Sequence, residues 1–272
     1  MNWSAISSKL FDPYDMKARI FPGLLLLTPV VVFMALILGP KNPLIIALSS
    51  VLATCGGPYL IASFVRTWGQ RAERRLNKKW GGQPTTIMLR HRDTLLPAQT
   101  TLLYHKLIKE KFGLVMPTED QEKNDGPKAD GYYIAAANAL RPLTNDHKKF
   151  PFIFKELVAY GFNRNAHGSR FIGALISIMT MFATLLHGGA LTMASPYLDL
   201  NAFKGLTVAY VLTLITCATF LLVWLFHFTA QTVEQAGYSY ARRLWEALDK
   251  VPKKPVPKVA KSGGQNGAGV GV

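Results

Sequence analysis

The sequence predicts an all-α membrane protein: four transmembrane helices in two hairpins, with a helical cytosolic domain inserted between spans 2 and 3. Three observations predict it. Four apolar runs, 21–38, 44–65, 171–192 and 205–228, contain no Asp, Glu, Lys or Arg. Each has about the 17–25 residues that cross a hydrocarbon core of ~30 Å. The 31 Lys and Arg residues avoid the connections inside the hairpins, which hold only Lys41 and Lys204. Between the hairpins, over 66–170, apolar residues recur at helical spacing. A chain of 272 residues that is 49% hydrophobic, with mean hydropathy +0.16, is too apolar for an ordinary soluble domain.

Residues 1–20 form a short cytosolic leader, in which Asn2-Trp3-Ser4 with Leu10 and Phe11 suits either an interfacial helix or a loose tail. Its mixed charges, and the lack of a small-x-small site after the apolar run, argue against a cleaved signal peptide. Span 1 carries Pro22 and Pro29 and ends at Gly39-Pro40-Lys41-Asn42-Pro43, a turn that neither flanking helix can enter. Residues 21–65 therefore read as the first transmembrane hairpin. Cys55-Gly56-Gly57-Pro58 predicts a kink in span 2, either a hinge or a packing notch. The helix continues as a basic collar, Arg66, Arg71, Arg74, Arg75, Lys78 and Lys79 against the single Glu73, until Gly81-Gly82-Gln83-Pro84 stops it.

The basic helical cytosolic domain occupies 66–170. Residues 94–112 place Leu103, Tyr104, Leu107 and Ile108 on one face, with His105, Lys106 and Lys109 opposite and Gly113 as the stop. Pro117-Thr118-Glu119-Asp120-Gln121 is a helix start with a capping box. Tyr132, Tyr133, Ala136, Ala139 and Leu140 form a further stripe closed by Pro142; Ile153, Phe154, Leu157 and Val158 form another, whose helix is expected to fray at Gly161. These stripes suffice for a small compact core. The second hairpin spans 171–228. Span 4 is expected to continue into a cytosolic amphipathic helix over 229–250, marked by Val233, Ala236, Tyr240, Leu244 and Trp245. Residues 251–272, Lys/Pro-rich and then Gly-rich, are expected to be a disordered tail. Basic residues close to the span ends put both termini and the insert on the cytoplasmic side of the membrane.

Chemistry is sparse. His91-Arg92-Asp93 lacks the Asn, the Gly-rich loop and the Asp-Phe-Gly that a kinase needs. No His, Cys, Asp or Glu group has metal-ligand spacing, and no nucleophile elbow or phosphate loop occurs. The chain is expected not to be an enzyme and to carry no cofactor. Cys55 and Cys217 both lie in apolar runs, which leaves no disulfide framework. Spans free of charge disfavour an ion-coupled transporter.

Two sets of residues remain. In span 3, Ser177, Thr180, Thr184 and His187 share one helix face, and Thr213, Thr216 and Thr219 follow in span 4. Ser50 and Thr54 add a shorter polar pair in span 2. These hydroxyls read either as packing contacts or, with Ser177, Thr180, Thr184, His187, Thr213 and Thr216 foremost, as the lining of a path between protomers. Four spans cannot enclose a wide pore, so a channel requires a homo-oligomer. The insert holds 19 Lys/Arg against 10 Asp/Glu. Arg74, Arg75, Lys78, Lys79, Arg90, His91, Arg92, Arg141, Arg164 and Arg170 can attract anionic membrane lipid or fork a phosphate-bearing ligand. Trp68, Trp80, Tyr104, Tyr132, Tyr133, Tyr160 and Phe162 offer faces on which nucleotide bases stack.

Several fragments resemble a family of uncharacterised bacterial inner-membrane proteins: Trp80-Gly-Gly-Gln-Pro-Thr-Thr86, Leu89-Arg-His-Arg-Asp93, Met116-Pro-Thr118, Lys128-Ala-Asp130 with Tyr132-Tyr133, and Tyr160-Gly-Phe-Asn-Arg-Asn165. The layout also resembles the membrane effectors of bacterial anti-phage systems of the Hailong type. That resemblance implies a nucleotidyltransferase partner whose oligonucleotide product controls an oligomeric channel in the bacterial inner membrane. It assigns no binding residue. The leading expectation is thus a homo-oligomeric channel or pore-forming effector gated by a nucleotide or oligonucleotide. The alternatives are a non-conducting scaffold that recruits a protein or anionic lipid and, third, a small-solute transporter.

Overall fold

A computed structural model of the chain describes residues 12–39, 41–43, 46, 50 and 57–252. Among them the backbone is mostly helical, and the only extended pairing is an isolated bridge between Leu191 and Leu198. Most of the leader, residues 44–45, 47–49 and 51–56 of span 2 (Thr54 and the first half of the Gly-Pro notch included), and the tail from 253 lie outside the described residues. Three described helices are long and apolar enough to cross a membrane: α1 (Pro13–Leu38), α7 (Pro151–His187) and α9 (Val208–His227). The predicted second span enters the description at Gly57, in α2 (Gly57–Trp80).

The side chain of Asp12 caps α1 by accepting from the Tyr14 amide at 3.0 Å, and Pro13 occupies the first turn. The helix therefore begins well before residue 21, and residues 13–20 of the expected leader are its first turns. Pro22 has no amide hydrogen, which deprives the Ala18 carbonyl of its intrahelical donor. Asn165 Nδ2, from α7, donates to that carbonyl at 2.6 Å.

Helix α7 is the spine of the molecule. It runs 37 residues without a break, about 55 Å at 1.5 Å per residue, and packs on α1, α2, α9 and the C-terminal helix α10 (Ala230–Glu246). The expected fraying at Gly161 does not occur. Glycine there permits close approach instead: a Cβ at 161 would meet the Tyr14 hydroxyl and Ala18, and one at Gly168 would lie 2.6 Å from the Trp68 carbonyl oxygen of α2. Gly173 makes room in the same way for the buried Trp224.

Four short elements fill the space between α2 and α7: α3 (Pro84–Ile87), α4 (Ala98–Phe112), α5 (Glu119–Asn124) and α6 (Gly126–Leu140), the last closing in a 3-10 turn, Arg141–Thr144. Their boundaries match the local signals. Gly81, at φ +79°, ends α2. Gly113, left-handed at φ +70°, ends α4. Thr118 and Gln121 form the expected capping box. The face of α4 is the expected one in part: Ile108 is buried, and Tyr104 and Leu107 pack against the core. Leu103 is 51% exposed, whereas Thr101, His105 and Ile108 are buried. His105 turns inward because its Nε2 bonds the Leu89 carbonyl at 2.8 Å. On α6, Tyr132 faces outward, and Ala129, Tyr133, Ala136, Ala137 and Leu140 form the buried stripe.

Span 4 does not run on into the next helix. After Val223–His227 the backbone turns at Phe228 (φ −83°, ψ 67°), and Thr229 caps α10 by accepting from the Thr232 amide at 3.3 Å. Helix α10 then continues antiparallel to α7, with Tyr240 beside Tyr160, and Val233, Tyr240, Leu244 and Trp245 enter the same core as Leu89, Ile108, Tyr133 and Leu140. The segment expected to stand apart as 229–250 thus belongs to the insert's core, which extends as far as Val251. A second cluster, Leu26, Ala166, Ala174, Trp224 and Phe228, holds the apolar helices together. Around it Leu24, Val31, Phe171, Leu175, Met179, Val208 and Phe226 are exposed. So continuous an apolar surface belongs in lipid.

Candidate functional site

Where α1, α2, α3, α7, α10 and the Arg141–Thr144 turn meet, a pocket of about 340 Å³ opens at the junction of the helical domain and the apolar helices. That volume lies within the range of small-molecule sites. Its charged end is built by α2 and α7. Glu73 accepts from the Tyr160 hydroxyl at 2.7 Å and from Arg164 Nη1 at 2.9 Å. Arg164 is fixed further by its Nε, which donates to Asn165 Oδ1 at 3.3 Å. Glu73 thereby neutralises Arg164.

Arg141, at the opposite wall, has no such counterion. Its guanidinium donates to Asn138 Oδ1 at 3.3 Å, Gln83 Oε1 at 3.2 Å and Thr85 Oγ1 at 3.3 Å, all neutral acceptors at long range. It makes no ion pair among the described residues. The pocket therefore carries one uncompensated positive charge.

The remaining walls are aromatic. Tyr160 and Tyr240 lie parallel, with ring centroids 6.3 Å apart and planes 3° apart. Gly237 sits beside them because a Cβ there would lie 2.8 Å from Pro84 and 3.1 Å from the Tyr160 ring. Tyr14 completes the wall from α1. Burial pushes the Tyr240 hydroxyl above its ordinary pKa despite the nearby Arg141, so it stays neutral and can donate. One guanidinium without a counterion, a hydroxyl-lined rim and tyrosine faces together suit an anion attached to a planar group.

The other expected ligand residues fall elsewhere. Arg74, Arg75, Lys78 and Lys79 are exposed on the outer face of α2. Arg90, His91 and Arg92 take part in ion pairs and hydrogen bonds that hold the domain together. Arg90 is 4% exposed; it donates from Nε and Nη2 to Asp130 at 2.8 and 2.7 Å, and from Nη2 to the Gly81 carbonyl at 2.6 Å. Desolvation works against its charge, but Asp130 and Asp93 outweigh that and raise its pKa further. Glu122, 3% exposed, accepts from the His91 amide at 2.9 Å, from Arg92 Nη1 at 3.2 Å and from the Tyr133 hydroxyl at 2.6 Å. Burial pushes Glu122 up, yet these donors together hold it below the usual carboxylate range. Arg170 lies 4.4 Å from the Phe171 ring centroid.

The polar stripe lies inside the chain's own packing. Ser177, Thr180, Thr184 and Thr213 are buried. Each hydroxyl donates to the carbonyl four residues earlier on its own helix, at 2.7–2.9 Å, as Thr216 does at 2.8 Å. His187, exposed, bonds the Tyr210 hydroxyl through Nδ1 at 2.8 Å. No group of three or more His, Cys, Asp or Glu that could hold a metal ion occurs among the described residues.

Of the expected ligand set, the structure brings Arg141 and Arg164 together in one pocket, with Tyr160 from the stacking set. It adds Glu73, Tyr14 and Tyr240, which sequence reasoning did not nominate as ligand contacts. Glu73 had a legible signal as the lone acid in the basic collar. No protein-family model matches the chain, and no curated protein or solved structure matches it significantly.

Proposed function

We propose that the chain is a ligand-controlled membrane effector: a four-span, homo-oligomeric channel of the bacterial inner membrane whose cytosolic pocket takes a phosphate-bearing ligand, a nucleotide or the end of an oligonucleotide. The observation that carries this reading is the junctional pocket, where Arg141, which has no counterion, faces the parallel Tyr160 and Tyr240 rings, and Tyr160 sits on α7, which continues into the apolar band. A phosphate adds charge-assisted bonds to Arg141, and a base fits against the Tyr160 and Tyr240 rings. The ligand controls the membrane helices only if it binds two arrangements differently. Tyr14, on α1, and Arg164, on α7, supply that differential contact. The insert's motifs and the layout resemble anti-phage effectors, so an oligonucleotide made by a nucleotidyltransferase partner is the proposed natural ligand.

Calorimetric titration of the chain in nanodiscs with ATP and with short oligonucleotides tests the pocket. Arg141→Gln should weaken binding by about tenfold or more, since hydrogen bonds to charged groups contribute about 1.5–3 kcal/mol. Equal affinity in both proteins refutes the assignment.

A second reading, a non-conducting scaffold, is favoured by one observation. The hydroxyls of Ser177, Thr180, Thr184, Thr213 and Thr216 donate to their own backbones and so are not free donors toward an aqueous path. Bilayer conductance of the purified protein separates the two readings. In the channel reading, Thr180→Leu with Thr184→Leu lowers conductance; an unchanged conductance assigns the stripe to packing alone.

A further inference from the structure

On another side of α1 from the ligand pocket, α1 and α7 form a groove of about 460 Å³. Its lining divides into two chemistries. Lys17 of α1 and Lys155 of α7 are exposed and make no ion pair among the described residues. The apolar lining is Phe21, Phe154, Val158 and Phe162. Phe21 opens the apolar run of α1 and is 44% exposed, with Leu24, one turn further along, 50% exposed. The groove thus joins two unpaired ammonium groups to the start of the lipid-facing surface. Asn163, the remaining polar lining group, commits its Nδ2 to the Ala159 carbonyl at 2.9 Å.

We infer that this groove is a headgroup site for an anionic phospholipid. Two ammonium groups match a lipid phosphate, and Phe21, on the membrane side of them, matches the first methylenes of its acyl chains. A free inorganic phosphate satisfies the lysines but leaves Phe21, Phe154 and Phe162 uncovered. Lysine stems lie along apolar surface while their charged ends reach the headgroup plane. The site also gives the chain a vertical register. Ala18 lies level with Asn165, to which its carbonyl is bonded, so Lys17 and the Gly161–Asn165 stretch of α7 sit at the headgroup depth. The inference rests on the groove alone and stands whether or not the junctional pocket binds a nucleotide.

The test is lipid retention by the full chain in nanodiscs of phosphatidylcholine doped with phosphatidylglycerol, read by native mass spectrometry. Wild type should retain phosphatidylglycerol in preference to phosphatidylcholine. Lys17→Gln with Lys155→Gln should lower that preference on the order of tenfold, given the known attraction of each juxtamembrane lysine for anionic lipid. Lys106→Gln with Lys109→Gln, on the remote α4, should leave it unchanged. Both pairs are exposed, so folding should survive; each variant's thermal transition checks this. Three outcomes overturn the inference. One is equal retention by the Lys17/Lys155 variant. Another is an equal loss in the α4 control, which signals diffuse charge attraction. The third is displacement of the lipid by millimolar inorganic phosphate, which makes the groove a plain phosphate site.

Discussion

Buried carbonyls left without a helical donor find a side-chain nitrogen from a distant element, and single residues at these points govern the fold. Asn165 serves the Ala18 carbonyl freed by Pro22, His167 Nδ1 the Phe228 carbonyl at the end of α9, and His105 Nε2 the Leu89 carbonyl. Asn165→Leu removes the donor from a fully buried pair. An unsatisfied buried carbonyl costs about 1–3 kcal/mol, and the thermal transition in detergent should fall by several degrees; an unchanged transition contradicts the role. His105 sets a pH dependence. Burial pushes its pKa below the ordinary value, the Leu89 carbonyl and Glu122 offset that only partly, and neighbouring His91 adds to the depression. A histidine depressed in the folded state contributes fully above its unfolded pKa of about 6.5 and loses that contribution as pH falls below it toward the folded value. Wild type should therefore lose stability as pH falls below roughly 6.5. His105→Gln, whose amide still donates to Leu89, should show a shallower slope there. Parallel slopes for the two proteins rule His105 out as the source.

At the scale of elements, most stops and most buried faces were legible, with Ile108, Tyr133, Leu140, Val233, Leu244 and Trp245 buried as expected, and the exceptions have distant partners. Gly81, Gly113, the Thr118–Gln121 box and the Pro at the starts of α1, α3, α6 and α7 act within a turn or two, so local sequence determines them. The inward face of α4 depends on Leu89, a partner 16 positions away in sequence. The fork at Arg90 depends on Asp130, 40 positions away. No local pattern shows that such opposite charges meet, which is why Arg90, His91 and Arg92 read as free cations. Gly161 read as a break for the same reason: its close approach to α1 becomes visible only once Tyr14 is packed on it. The α2–α7 crossing is the tightest consequence. Gly168→Ala places a methyl 2.6 Å from the Trp68 carbonyl, where backbone meets backbone and neither side can rotate away. Overpacking of this kind costs about 1–3 kcal/mol. The variant should unfold at a lower temperature than Gly131→Ala, whose added methyl meets nothing. Equal transitions refute a tight crossing.

For the whole molecule, the apolar runs and the helical insert were legible because composition carries them. Their integration was not. The core takes α10 from beyond the last span, and α7 passes without interruption from that core into the apolar band. A domain joined to the apolar helices by a continuous 37-residue helix, and by α2 beside it, is suited to pass a ligand's contacts in the junctional pocket to the spans. Arg141 and Arg164 were nominated from charge alone; what makes them a site is their convergence with Glu73, Tyr160 and Tyr240. The most direct test is planar-bilayer conductance of the purified chain, wild type against Arg141→Gln, with a panel of di-, tri- and tetranucleotides added to the domain side. The expected result is a conductance change with at least one member of the panel in wild type, shifted to about tenfold or higher ligand concentration in the variant. A wild-type response that Arg141→Gln leaves in place, or a bilayer that stays silent with every ligand, contradicts ligand control through this pocket.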